Sequence, residues 1–138
     1  MSSHIVRAIV VLALIVGVAV ARGDQAPEYH VKAEFLERFT RFIDWPPGTE
    51  GRGTFLIGVI GENPFSGYLD EVARERPIKG RPIEIRRLTD PAQTESCQVV
   101  FICASERDRL RRILSHTDSK PILTIGDSSG FAAAGACA

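Results

Sequence analysis

Two stretches of this chain are apolar without alternating, Phe55-Leu56-Ile57-Gly58-Val59-Ile60-Gly61 and Val99-Val100-Phe101-Ile102-Cys103-Ala104, and Pro121-Ile122-Leu123-Thr124-Ile125-Gly126 reads as another strand. A strand with one wet face alternates apolar and polar residues, because its side chains point to opposite sides in turn. A run that does not alternate is expected to be covered on both faces, as strands of a parallel sheet are. Ile83-Glu84-Ile85-Arg86-Arg87-Leu88 does alternate, so it is expected at an edge or with one face exposed. Helical patterns separate these runs. From Val31, the residues Phe35, Leu36, Phe39, Phe42 and Ile43 recur at helical spacing, and this aromatic stripe is expected to lie on the core. Asp44-Trp45-Pro46-Pro47-Gly48 ends that helix, since proline lacks the donor and restricts its predecessor.

A second helix is expected from Asn63 as cap and Pro64 as first residue, through Phe65, Tyr68, Leu69, Val72 and Ala73. A third is expected from Ser105, with Asp108 completing a capping box. It turns Leu110, Ile113 and Leu114 inward and Arg107, Arg109, Arg111 and Arg112 outward. Residues 78–82 read as a turn, 90–96 as a loop and 127–131 as an exit loop. The resulting order is helix, strand, helix, strand, strand, helix, strand. It predicts an α/β fold: three layers around a mostly parallel open sheet, Rossmann-like in topology but without a nucleotide motif. The last strand has no covering helix after it. Such an edge invites completion by more chain or by a partner.

Residues 8–21, AIVVLALIVGVAVA, are uncharged and mostly apolar, follow Arg7, and end in a small-x-small signal at Ala19-Val20-Ala21. This predicts a secretory signal peptide over 1–21, cleaved after Ala21, and one domain over 22–138 in the periplasm. Lys plus Arg and Asp plus Glu both number 17 in the 138 residues. That balance speaks against a nucleic-acid partner, which usually meets a clear basic excess. Three cysteines would face an oxidising compartment: Cys97, Cys103 and Cys137. One intramolecular bridge at most can form, and Cys97–Cys137 and Cys103–Cys137 both remain open. Cys103, in an apolar run, reads as a small core residue. His30 and His116 share no ligand spacing with the cysteines, so no metal is expected.

Chemistry is sparse. Gly58-Val59-Ile60-Gly61-Glu62-Asn63-Pro64-Phe65-Ser66-Gly67 sits where Rossmann domains bind phosphate, yet it is neither GxGxxG nor a P-loop. Glu62, Asn63, Asp127 and Ser128 follow strand ends, where open α/β sheets place ligands, and are the candidate ligand cleft. Ser105, His116 and Asp127 could suggest a hydrolase, but Ser105 lacks the GxSxG elbow. No catalytic residues, no cofactor and no enzymatic role are expected. Trp45, Arg109 and Arg112 are the candidate contact residues for a partner protein. Cys97 and Cys137 are the candidate redox pair.

Read together, several segments resemble the YfiR-like periplasmic regulators. They are Val31-Lys32-Ala33-Glu34-Phe35-Leu36, Phe39-Thr40-Arg41-Phe42-Ile43-Asp44-Trp45-Pro46, Asn63-Pro64-Phe65, Lys79-Gly80-Arg81-Pro82-Ile83, Cys97-Gln98-Val99-Val100-Phe101-Ile102, and Pro121 to Asp127 with Gly130-Phe131. The resemblance implies an α/β periplasmic protein that often dimerises. It also implies repression of a membrane signalling protein such as a diguanylate cyclase, by binding its extracytoplasmic part. Lower cyclic-di-GMP, less biofilm and tuning by disulfide state would follow. A periplasmic small-ligand-binding module is the alternative, and a hydrolase the further one. Members usually continue beyond the Gly130-Phe131 region with a Gly-rich turn, a further strand or pair, and a last helix. The resemblance therefore implies that this C-terminal part is missing and that Cys137 lacks its partner.

Overall fold

A computed structural model describes residues 25–46 and 53–134. The proposed signal peptide and Cys137 lie outside the described residues. The elements, in order, are α1 (Gln25–Phe42), β1 (Phe55–Ile60), α2 (Tyr68–Glu75), β2 (Ile83–Leu88), β3 (Val99–Ile102), α3 (Leu110–Thr117) and β4 (Leu123–Gly126). The four strands form one parallel sheet in the order β2-β1-β3-β4. Helices cover both faces, and the α/β three-layer expectation holds.

The apolar runs became strands for the reason their pattern suggested. Along β1, Phe55, Ile57 and Val59 enter one core with Ala33 and Leu36 of α1 and Leu69 of α2. Ile60 enters the opposite core with Val100, Ile102, and Leu110 and Ile113 of α3. All four β3 residues are buried. Alternating β2 is an edge strand, with Glu84 and Arg87 exposed. Between α2 and β2, Ile78 and Arg81 exchange backbone hydrogen bonds of 2.9 Å around Lys79 and Gly80, both at positive φ.

Several local expectations are corrected. Helix α2 starts at Tyr68 rather than at Pro64. Ser66 (φ 49°) and Gly67 (φ 84°) are left-handed and hold the chain out of the helix until then. Asn63 instead closes a tight turn, its Oδ1 accepting from the Phe65 amide at 2.8 Å. The segment Pro91–Ser96 is a 3-10 helix, not a loop, because Asp90 and Gln93 form a reciprocal capping box. Ser105 does not cap a helix: residues Ala104–Arg109 form a 3-10 turn that leads into α3.

The largest correction concerns α1. Its buried residues are Ala33, Leu36, Glu37 and Thr40, one face at helical spacing. The aromatic stripe expected in the core points outward: Phe35 is 56% exposed, Phe39 59% and Phe42 85%, beside Val31 at 55%. The polar residues of the inner face are satisfied locally. Thr40 Oγ1 donates to the Leu36 carbonyl at 2.6 Å, and the Glu37 carboxylate accepts from Arg41 and lies 3.7 Å from Arg76. Paired in this way, a buried carboxylate and hydroxyl are tolerable. Ala33, fully buried against the β1 core, brings only a methyl group between helix and sheet.

Candidate functional site

Two regions could carry function: the carboxyl end of the sheet, and the outer surface shared by α1 and β4. At the carboxyl end, the strand order reverses between β1 and β3, which is where doubly wound folds open a ligand crevice. Here the crevice is closed by the chain itself. Ser105 Oγ accepts from the Glu62 amide at 2.9 Å. Gly61 (φ 104°) approaches so closely that a Cβ there would lie 2.6 Å from Ser105 Oγ. The backbone amide that might have met a phosphate already has a partner.

The candidate cleft residues emerge at this same end, but from strands that are not neighbours. Glu62 and Asn63 follow β1, whereas Asp127 and Ser128 follow β4, with β3 between them. Two strand spacings separate those exits by about 10 Å. Glu62 is exposed. Asn63 is half-buried, and its Nδ2 has no hydrogen-bond partner. Asp127 is already engaged: it accepts from Tyr29 Oη at 2.6 Å and from Lys32 Nζ at 2.5 Å. The hydrogen bond to Asp127 raises the Tyr29 hydroxyl pKa. Burial works against the Lys32 charge, but hydrogen bonds to Asp127 and Glu28 outweigh it and hold the ammonium above its ordinary pKa. Asp127 thus pins α1 to the end of β4, and neither Tyr29 nor Lys32 was singled out by the sequence.

The candidate contact residues fall on opposite sides of the sheet. Trp45 is half-buried on the α1 side, edge-on to Phe55 at 5.5 Å, with Nε1 donating to the Thr40 carbonyl at 3.4 Å. Arg109 and Arg112 are exposed on the α3 side, and Arg109 is paired with Glu106 at 2.6 Å. His116 is half-buried and lies 3.2 Å from Glu95. Cys97 and Cys103 are both buried free thiols, one in each core. Burial raises both, and Cys103 is pushed up to about 12, with the Asp127 charge adding to the effect. Among the described residues, no three His, Cys, Asp or Glu side chains group so as to hold a metal. Nor, among them, is any helix long and apolar enough to cross a membrane.

The outer surface is where apolar area accumulates. Val31, Phe35, Phe39 and Phe42 run the length of α1, with Phe35 and Phe39 rings 6.1 Å apart. Beside Phe35 and Phe39, a cleft of about 260 Å³ descends between α1 and β4 to Phe101 and Ile125, with Lys32 and Asp127 at its rim. Exposed apolar residues gathered into one patch mark an interaction surface more often than scattered ones do. A family model described as YfiR/HmsC-like matches residues 29–137. No curated protein matches the chain.

Proposed function

The chain belongs to the YfiR/HmsC-like family of periplasmic regulators, and from that premise we propose that it binds the extracytoplasmic part of a membrane signalling protein, such as a diguanylate cyclase, and restrains it. The family suggests a regulatory rather than a catalytic role. One observation carries the reading: α1 is inverted, burying Glu37 and Thr40 while exposing Phe35, Phe39 and Phe42. A helix gains its tertiary stability by covering its apolar face. Among the described residues nothing covers that face of α1, which offers it to another molecule. The docking surface is the aromatic stripe of α1, and Trp45, half-buried on the same side, is a strut beneath the end of the helix.

The test is co-expression of the exported chain with a membrane diguanylate cyclase of its own organism that carries an extracytoplasmic domain, followed by measurement of cyclic-di-GMP. The wild-type chain should lower the nucleotide level. A Phe35→Ser/Phe39→Ser double variant, exported to the same level, should not. Equal suppression by the two would overturn the docking surface, and no suppression by either would overturn the repressor reading for that cyclase.

A further inference from the structure

We infer that the outer edge of β2 pairs antiparallel with β2 of a second copy of this chain, in one register, joining the two sheets about a two-fold axis. The inference is independent of the reading above, and the two are measured separately. The backbone comes first. β2 lies at the edge of the sheet away from β4, and among the described residues no strand pairs with its outer side. The Pro82 carbonyl accepts from the Phe55 amide at 2.7 Å, which turns the even-numbered residues of β2 towards β1. The N–H and C=O groups of Ile83, Ile85 and Arg87 therefore face outward. An unpaired edge is a template for another strand.

The side chains select the strand. Leu88 enters the core on the α3 side, so Glu84 and Arg86 share its face of the sheet. Ile83, Ile85 and Arg87 share the other face, where both isoleucines pack against the α1-side core. In an antiparallel pair about a two-fold axis, opposite residues point to the same face and outward-facing backbone groups meet one another. Setting Ile85 opposite Ile85 of the second copy satisfies both conditions. It also sets Ile83 opposite Arg87, so the outward-facing backbone groups of all these residues are paired. Glu84 then lies opposite Arg86 of the second copy, and Arg86 opposite Glu84, at the closer, non-hydrogen-bonded positions. Within one copy Glu84 and Arg86 lie 3.1 Å apart, so charge alternates around the axis. On the other face Ile85 of each copy, half-buried alone, covers its counterpart. Arg87, held by Asp70 at 3.2 Å, lays its stem along Ile83 of the second copy. The neighbouring two-fold registers fail, because one sets Glu84 opposite Glu84 and the other sets Arg86 opposite Arg86. Charges on an edge ordinarily keep other strands away; here their order admits this one. The axis is perpendicular to the sheet, so both α1 helices, with their exposed Phe35 and Phe39, lie on the same side of the pair.

The exported chain is followed by sedimentation equilibrium, with circular dichroism confirming that each variant is folded. The wild type should form a dimer. Glu84→Arg and Arg86→Glu each set like charges opposite one another, and each should weaken the dimer at least about tenfold. The double variant Glu84→Arg/Arg86→Glu restores opposite charges and should restore the dimer. An equimolar mixture of the two single variants should also associate, as mixed pairs, because every facing pair is then opposite in charge. A substitution that merely disturbed the fold would not be rescued by mixing. Association indifferent to both single variants, or no recovery in the mixture, overturns the proposal. Association lost in Phe35→Ser/Phe39→Ser and unmoved by the charge variants overturns it in favour of the α1 face. A wild type still monomeric at about 1 mM overturns the second copy as occupant, in favour of a strand from another protein. The assay contains no signalling protein, so its failure leaves cyclic-di-GMP suppression to stand or fall separately.

Discussion

Phe42→Ala and Leu36→Ala together test which face of α1 is the inner one. Phe42 is 85% exposed and Leu36 is 3% exposed. A fully buried phenylalanine hides roughly 200 Å², so the small covered part of Phe42 amounts to about 30 Å². At about 25 cal/mol per Å² this is worth about 0.8 kcal/mol. Alanine's better helix propensity offsets about 0.5 kcal/mol of that. Phe42→Ala should therefore cost less than about 0.5 kcal/mol, against about 3–5 kcal/mol for a phenylalanine lost from a core. Leu36→Ala empties a buried site between helix and sheet and should cost about 2–5 kcal/mol. Urea unfolding followed by far-ultraviolet circular dichroism measures both, with an unchanged denaturant slope confirming that only stability moved. The inverted orientation is refuted by the opposite ranking: a Phe42→Ala cost above about 2 kcal/mol with a Leu36→Ala cost below about 1 kcal/mol.

Gly61→Ala combines a left-handed backbone with overlap against Ser105 and Cys103, and should cost roughly 2–4 kcal/mol; the Ser105→Gly second change should recover part of this in the same unfolding assay. Asp127→Ala removes the pin on Tyr29 and Lys32 and should cost about 2 kcal/mol, with Asp127→Asn costing less. Amide exchange in α1 should speed up in both Asp127 variants, and unchanged exchange would show that the pin is dispensable. The Cys103 thiol, ordinarily near 9.0, is raised to about 12 by burial. The unfolded chain ionises first, so stability is full below the ordinary value and is lost as pH climbs towards the folded one. Between pH 7 and about 10.5 the wild type should lose up to about 2 kcal/mol more than Cys103→Ala, and equal losses in the two would contradict the burial account.

How far the sequence could be read depended on where the deciding contact lay. Strands β1 and β3 were legible because burial on both faces leaves a mark at every residue, whereas β4 was legible from its apolar run although it is an edge strand whose residues are half-buried. The edge position of β2 was legible from its alternation. Helix α1 was located, yet its face was misread. Aromatic weight on Phe35, Phe39 and Phe42 outvoted Ala33 and Thr40, and of the expected stripe Leu36 is the residue that is buried. The fact that makes Glu37 acceptable inside, Arg76 reaching across from the end of α2, is not local. The 3-10 helix after Asp90 was readable in principle, since Asp90 and Gln93 have capping-box spacing. Ser105 looked like a cap because nothing local reveals that the Glu62 amide would claim its hydroxyl. Of the candidate cleft, the strand-end location of each residue was visible. The distance between the β1 and β4 exits follows from strand order, which the sequence leaves open.

The pin between α1 and β4 also has a consequence in time. Tyr29 and Lys32 reach Asp127 across 98 and 95 residues of chain. In a protein delivered to its compartment from the amino end, α1 arrives long before its anchor. Until β4 has joined β3, the helix has no carboxylate to hold it and no finished sheet to lie on. Of the described elements, the first to emerge is thus fixed in place only after the fourth strand. Any factor that slows delivery of β4 and Asp127 prolongs the interval in which the aromatic side chains of α1 are bare and unanchored.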